Sequence, residues 1–188
     1  MSSPQIDCGC TLRLGYNARV DHFFVASPLN PDRELSKEQM VDIREIANSS
    51  GLLIVCSGDF DLKELYEAKI NLQDRFPSVG SWYFAVVDLS NVAQLTVGAA
   101  DFDRLVELDR RLSRFTRPGL PVAIIARGEL PFGVSRMWQS STDPTGWDSR
   151  VFRDRISAEV WLRDRVRAVF SVAMPALHLE RADASSSE

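Results

Sequence analysis

Three short apolar runs constrain the fold of the chain more than any other feature: LLIVC (52–56), YFAVV (83–87) and VAIIA (122–126). None of them alternates apolar with polar residues, as a strand with one solvent-facing side does. Stretches with helical spacing separate each run from the next. Strands that are covered on both faces and joined by helices are typical of a parallel sheet. We therefore expect the three runs to be neighbouring central strands.

A hairpin is predicted to open this sheet. The segment MVDIREI (40–46) is joined to the first apolar run by NSSG (48–51), and a short Asn/Ser/Gly connection between two β-prone runs indicates antiparallel pairing. A last short strand is predicted at SRVFRD (149–154). The expected fold class is α/β, with a mainly parallel sheet of about four to five strands, helices packed on it and a β-hairpin at its start.

The helices are predicted from caps and apolar stripes. The first begins at Asp61, with Glu64 completing a capping box and Leu65, Leu72 and Phe76 turned inward. A second covers 101–115, a third is short and covers 131–139, and a fourth covers 157–170 with Ser157 as its N-cap. The stripe of the second helix consists of Phe102, Leu105, Val106, Leu112 and Phe115. The polar stretch 140–149 is predicted to be a loop.

The ordered core is predicted to be one domain between two peripheral segments. We expect an N-terminal extension over 1–39 that is partly flexible, a domain over 40–170 and a disordered tail over 171–188. No run of about 18 apolar residues and no signal-like apolar region occurs, so a cytoplasmic location is expected. Cys8 and Cys10 form a lone C-G-C without a second Cys or His pair at metal-ligand spacing, so no metal site is predicted.

Charge and motif content argue against two function classes. The net charge is −4, and the Arg-rich stretches at 107–117 and 163–167 also contain acids at helical spacing, so nucleic-acid binding is not expected. Both histidines, His22 and His178, lie outside the α/β core, and Ser135 lacks the second glycine of a nucleophile elbow. No glycine-rich phosphate loop follows a strand. We therefore predict that the chain is not an enzyme and needs no cofactor.

Four short sequence segments occur in an order and at a spacing that are typical of one protein superfamily. They are GLLIVCSG before an acid-capped helix, VVDLSNV, PFGVSRMWQ after an apolar strand, and RVFRDRISAEVWL near the end. Over roughly residues 40–165 the chain resembles the STAS superfamily, in particular the SpoIIAA-like (STAS/SEC14-type) branch of small bacterial proteins. Anti-anti-sigma members carry a phosphorylated serine at the start of the helix after DLS. Here that position falls on Val97, between Thr96 and Gly98. The resemblance therefore implies that this chain has the fold of the anti-anti-sigma members but lacks their phosphoacceptor serine.

Six residues are candidates for ligand contacts. Asp88 and Ser90 follow a buried strand, where open α/β sheets place ligands, although both could equally stabilise the turn. Arg136 could clamp a carboxylate or phosphate, or could pair with a nearby acid. The remaining candidates form an apolar wall on the same short helix, or are ordinary core residues: Phe132, Met137 and Trp138.

Two functions remain open at this point. The first is a regulatory or carrier module that binds a small apolar or amphipathic molecule or a membrane surface, as the family's likeness to lipid-carrier folds implies. The second is a protein-interaction module derived from anti-anti-sigma factors and independent of phosphorylation. An enclosed apolar pocket favours the first, and an exposed apolar patch favours the second. The oligomeric state stays open, a dimer included.

Overall fold

The computed structural model describes residues 40–177 and Leu179. Cys8, Cys10, His22, His178 and the predicted N-terminal extension lie outside the described residues. The strands are β1 Val41–Ile46, β2 Gly51–Asp61, β3 Phe84–Thr96, β4 Pro121–Ile125 and β5 Asp148–Phe152. The helices are α1 Leu62–Lys69, α2 Leu72–Arg75, α3 Ala99–Leu112, α4 Glu129–Thr142 and α5 Arg155–Phe170. Short 3₁₀ turns cover Pro77–Ser81, Ser113–Phe115 and Asp143–Thr145.

The five strands form one sheet in the order β1-β2-β3-β4-β5. β1 and β2 pair antiparallel, and every other neighbouring pair is parallel. The three apolar runs form the interior strands β2, β3 and β4, as predicted, and Val86 pairs with both Leu53 and Ala123. The predicted α/β class, with a hairpin followed by a mainly parallel sheet, is confirmed.

A tight turn connects β1 to β2, and the first residue of β2 after this turn is a glycine that packs against Phe84. The turn residues Ala47, Asn48 and Ser49 all adopt positive φ angles of 54°, 54° and 60°. A Cβ on Gly51 would lie 2.2 Å from Cζ of Phe84, so no other residue fits without displacing that ring. The hairpin therefore closes directly onto the central strand of the sheet.

Each face of the sheet is covered because the apolar strands alternate their side chains between the two sides. Leu52 and Ile54 belong to the cluster under α1, α3 and α4, whereas Leu53 belongs to the cluster that contains Leu162 of α5. Sequential parallel strands joined by right-handed crossovers place their connecting helices on one face. The helix α5, which follows the last strand, packs on the other.

β3 runs much further than the apolar run YFAVV (83–87) from which it is predicted. β3 continues to Thr96 because β2 continues alongside it, with pairs running from Gly51 and Phe84 to Asp61 and Thr96 through two register shifts. Pairing with β4 ends earlier, at Asp88 and Ile125. The polar residues after Asp88 thus form a strand because of their partner, not because of their own pattern.

The boundaries of the last two helices also differ from the prediction. α4 begins two residues earlier and runs three residues further than 131–139, and the Thr142 hydroxyl donates to the Trp138 carbonyl oxygen at 2.9 Å within its last turn. The stretch 140–149 is therefore not one loop, since its ends belong to α4 and β5. The N-cap of α5 is Asp154, which accepts from the Ser157 backbone N–H at 2.8 Å, so Ser157 is not the cap.

Two apolar residues lie elsewhere than expected. Phe115 is 53% exposed, because α3 ends at Leu112 and the chain turns away in a 3₁₀ step, so it does not share the stripe of the helix. Beyond α5, Met174 and Leu179 are buried in the α5-side cluster. The predicted domain boundaries and the disordered tail remain predictions, although these two contacts extend the packed core past Phe170.

Candidate functional site

Asp88 lies at the carboxyl end of the β3–β4 ladder and is bound on both carboxylate oxygens. Arg155 Nε donates to its Oδ2 at 2.7 Å, and the Ser90 backbone N–H and hydroxyl donate to its Oδ1, the former at 2.9 Å. Asp88 and Arg155 are both nearly fully buried. This arrangement matches the structural interpretation of Asp88 and Ser90: the carboxylate orders the strand and joins it to the first residue of α5.

The four candidates on α4 point in different directions. Trp138 is buried, whereas Arg136 is exposed and Met137 is 60% exposed. The Arg136 guanidinium donates to Oε1 of Gln139 on its own helix at 2.7 Å. Phe132 is half-buried, with the Arg153 guanidinium 3.8 Å from its ring centroid. The structure therefore does not bring the six predicted residues into one site, and their role in ligand binding remains a prediction.

A buried polar cluster that the sequence analysis missed lies where α1, α3 and α4 meet. Asp109 of α3 is 0% exposed; its Oδ1 accepts from the Lys69 ammonium of α1, and its Oδ2 accepts from Trp138 Nε1 of α4 at 2.8 Å. We call these three residues the Lys69 cluster. A carboxylate that accepts from an ammonium and an indole can be buried because its charge is balanced and its oxygens are bonded.

Sequence spacing contained a signal for this cluster. Asp109 is four residues after Leu105 and three before Leu112, so it lies on the apolar stripe of α3. Lys69 stands in the same relation to Leu65 and Leu72. Two oppositely charged residues on inward-facing stripes of neighbouring helices indicate a buried pair, whereas the sequence analysis considered Asp109 only as one of the acids in the Arg-rich stretch 107–117.

A cavity of about 50 Å³ lies between the sheet and α1, α3 and α4, beside the Lys69 cluster. Its polar lining residues are Lys69, Asp109 and Ser135, and Trp138 also reaches it. The apolar lining residues are Phe60, Leu62, Leu65, Val87, Leu89, Leu95, Phe102, Leu105, Ile124 and Val134. A second cavity of about 40 Å³ is lined by Lys69, Val87 and Trp138 as well. Of the six predicted ligand residues, only Trp138 borders either cavity.

Cys56 on β2 is the one cysteine among residues 40–177, and its thiol is free and buried. Burial raises the pKa of the Cys56 thiol far above its ordinary value, and the positive charge of Lys69 only partly opposes that effect. A thiol held neutral in this way is a poor nucleophile.

Among residues 40–177, no group of three or more His, Cys, Asp or Glu side chains is placed to hold a metal ion. No helix in this part of the chain is long and apolar enough to cross a membrane.

The described residues form an α/β domain with an apolar cavity between the sheet and α1, α3 and α4, and the buried Lys69–Asp109 pair lines this cavity. No family model matches the chain, and no curated protein matches it. Among solved structures, the chain is similar to an uncharacterized protein of the DUF3478 family from Shewanella loihica PV-4, which is described as having a SpoIIAA-like fold. The two are 19% identical with a TM-score of 0.44, over 65% of this chain and 91% of that chain.

That description agrees with the SpoIIAA-like resemblance predicted from the sequence. The assignment of the fold rests on the strand order and register of this chain.

Proposed function

We propose that the chain is a non-enzymatic bacterial regulatory or carrier module of the SpoIIAA-like type, which binds a small apolar or amphipathic molecule and has no phosphoacceptor serine. The observation that carries the proposal is the interior cavity, which combines an apolar lining with a buried charge pair. Ligand sites are commonly concave and mostly apolar, with a few polar groups that fix orientation. The cavity has that composition, whereas the exposed side of α4 does not enclose a ligand.

The size of the cavity limits what it can take without movement. About 50 Å³ is well below the roughly 150 Å³ that holds benzene in an engineered apolar cavity. A ligand of several carbon atoms therefore requires the two cavities to merge or α4 to shift. α4 is suited to such a shift, because Gly128 gives it no side-chain cap and Gly133 weakens its middle.

Binding can be tested directly with toluene, a small neutral probe. We expect toluene to shift the methyl NMR signals of Leu65 and Leu105, which line the cavity. Val134→Phe fills the cavity from α4 and should abolish those shifts. Val160→Phe places the same ring on the exposed surface of α5 and serves as the matched control. Shifts that are absent in the wild type, or unchanged in Val134→Phe, would contradict the proposal.

Native mass spectrometry of the protein purified from its own host complements this titration. A retained small molecule that Val134→Phe loses and Val160→Phe keeps would identify the natural ligand.

A second candidate function, a protein-interaction module independent of phosphorylation, is favoured by a different observation. Three exposed apolar side chains lie where the β3–α3, β4–α4 and β5–α5 connections reach the carboxyl edge of the sheet: Val97 at 38%, Leu130 at 56% and Ile156 at 59% exposed. A partner isolated on the wild type, purified and rebound, should lose affinity for Leu130→Asp and Ile156→Asp. Unchanged affinity of both variants would exclude this edge as the interface.

A further inference from the structure

The Lys69 ammonium has unused donors beside the cavity. An ammonium carries three N–H donors. In the part of the chain that the structure describes, Asp109 is its one hydrogen-bond acceptor, and the Lys69 side chain is only 9% exposed. Because Lys69 lines both cavities, its remaining donors are available to a molecule bound there.

The Ser135 hydroxyl is a second polar group with unused capacity in the same cavity. Ser135 is 4% exposed and lies one helical turn before Trp138, on the inward side of α4. No hydrogen bond joins this hydroxyl to any residue between 40 and 177. The Ser135 oxygen is not fully enclosed, since Glu64 Oε2 is the one fully buried side-chain nitrogen or oxygen without a partner in the described part of the chain, and Ser135 lines the cavity. A hydroxyl that faces a cavity can donate to, or accept from, a molecule bound there. Ser135 is therefore a second indication, independent of Lys69, that a molecule bound in the cavity places a polar atom there.

The charge of the cluster selects among possible ligands. The Lys69 and Asp109 charges already cancel, and the rest of the lining is almost entirely apolar. A carboxylate would add a net negative charge next to Asp109, and an ammonium would add a positive charge next to Lys69. Either charge would be buried without compensation, which is strongly unfavourable. A neutral oxygen adds no charge and can still accept from an ammonium.

We propose that the cavity takes a small neutral amphipathic molecule, an alcohol or a ketone, whose oxygen accepts a hydrogen bond from Lys69 and bonds to the Ser135 hydroxyl. Its hydrocarbon part packs against the apolar lining. This inference rests on the proposed function, because it names the ligand class of the same cavity. It assigns recognition of the polar end to Lys69 and Ser135, and not to Arg136.

The experiment compares three ligands that differ in charge but hardly in size: 1-butanol, butyrate and butylammonium. Affinities are measured by methyl NMR titration of the full chain. We expect 1-butanol to bind at least about tenfold more tightly than either ion, since about 1.4 kcal/mol separates affinities by that factor. Ser135→Ala should weaken 1-butanol binding about fivefold, which corresponds to one ordinary hydrogen bond. Ser140→Ala, on the exposed side of the same helix, is the control and should bind as the wild type does.

The outcomes separate the two proposals. If butyrate or butylammonium binds as tightly as 1-butanol, or if Ser135→Ala binds 1-butanol as the wild type does, the neutral-ligand inference is wrong while apolar binding in the cavity stands. If neither toluene nor any of the three ligands binds, both proposals are wrong. Toluene binding that is unaffected by Ser135→Ala is expected, because toluene makes no hydrogen bond.

Discussion

Removing the charge of Lys69 should destabilise the domain far more than removing an exposed charge. In Lys69→Met the Asp109 carboxylate stays buried and keeps only the Trp138 indole as a donor. Leaving one member of a buried ion pair without its partner costs about 3–5 kcal/mol. That is a large share of the roughly 5–15 kcal/mol that stabilises a typical domain.

The measurement is urea unfolding followed by circular dichroism. With a denaturant dependence of about 2 kcal/mol per molar urea, the unfolding midpoint of Lys69→Met should fall by about 2 M. Lys63→Met is the matched control, because Lys63 is on the same helix, is exposed and pairs with Glu67 only at 3.6 Å. Its free energy of unfolding should change by less than about 0.5 kcal/mol.

The double variant Lys69→Met/Asp109→Leu tests the physical reason. It removes both charges, so only the Trp138 N–H loses its acceptor, at a cost of about 1–3 kcal/mol. The double variant should therefore be more stable than Lys69→Met. The reasoning is refuted if Lys69→Met behaves like Lys63→Met, or if the double variant is the less stable of the two.

Four further predictions concern the fold and its regulation. Val86→Asp should unfold the domain, because an unpaired carboxylate would be buried at a 0% exposed site in β3; a normal thermal melt would contradict this. Phosphopeptide mapping should find no stoichiometric phosphate on Thr96, because Val97 occupies the acceptor position. The Ser157 backbone N–H donates to the Asp154 carboxylate that caps α5 and holds the pKa of Asp154 below its ordinary value, so the cap stabilises the folded domain at neutral pH and is lost as pH falls through the folded-state pKa. Asp154→Ala should accordingly lower the melting temperature at neutral pH but not in strong acid. Gly133→Ala should stabilise α4 by about 0.5–1 kcal/mol, measured by urea unfolding, because a Cβ there meets no atom within 4 Å.

The interior strands could be predicted because their signal is local. LLIVC, YFAVV and VAIIA are apolar at every position, so burial on both faces follows from composition alone. The continuation of β3 through SNVAQLT could not be predicted in this way. That stretch is polar, and it is a strand because β2 pairs with it as far as Thr96.

The candidate site was less predictable because it depends on pairs that are distant in sequence. Asp88 and Arg155 are 67 residues apart, and no spacing rule connects them. Lys69 and Asp109 could have been found, since both lie on inward stripes of their helices. Met137 and Trp138 could not both face inward, since a helix turns about 100° per residue, and the structure buries Trp138 while Met137 is 60% exposed.

The claim that the cavity is a ligand site is tested most directly by locating a bound neutral amphipathic molecule. Intermolecular NOEs between 1-butanol and the methyl groups of the isotope-labelled chain report that location without a variant. We predict NOEs from the butyl chain to Leu65 and Leu105 in the cavity, and none to the exposed methyl groups of Leu130 and Ile156. NOEs confined to Leu130 and Ile156, or none at saturating 1-butanol, would contradict the claim that the interior cavity is the binding site.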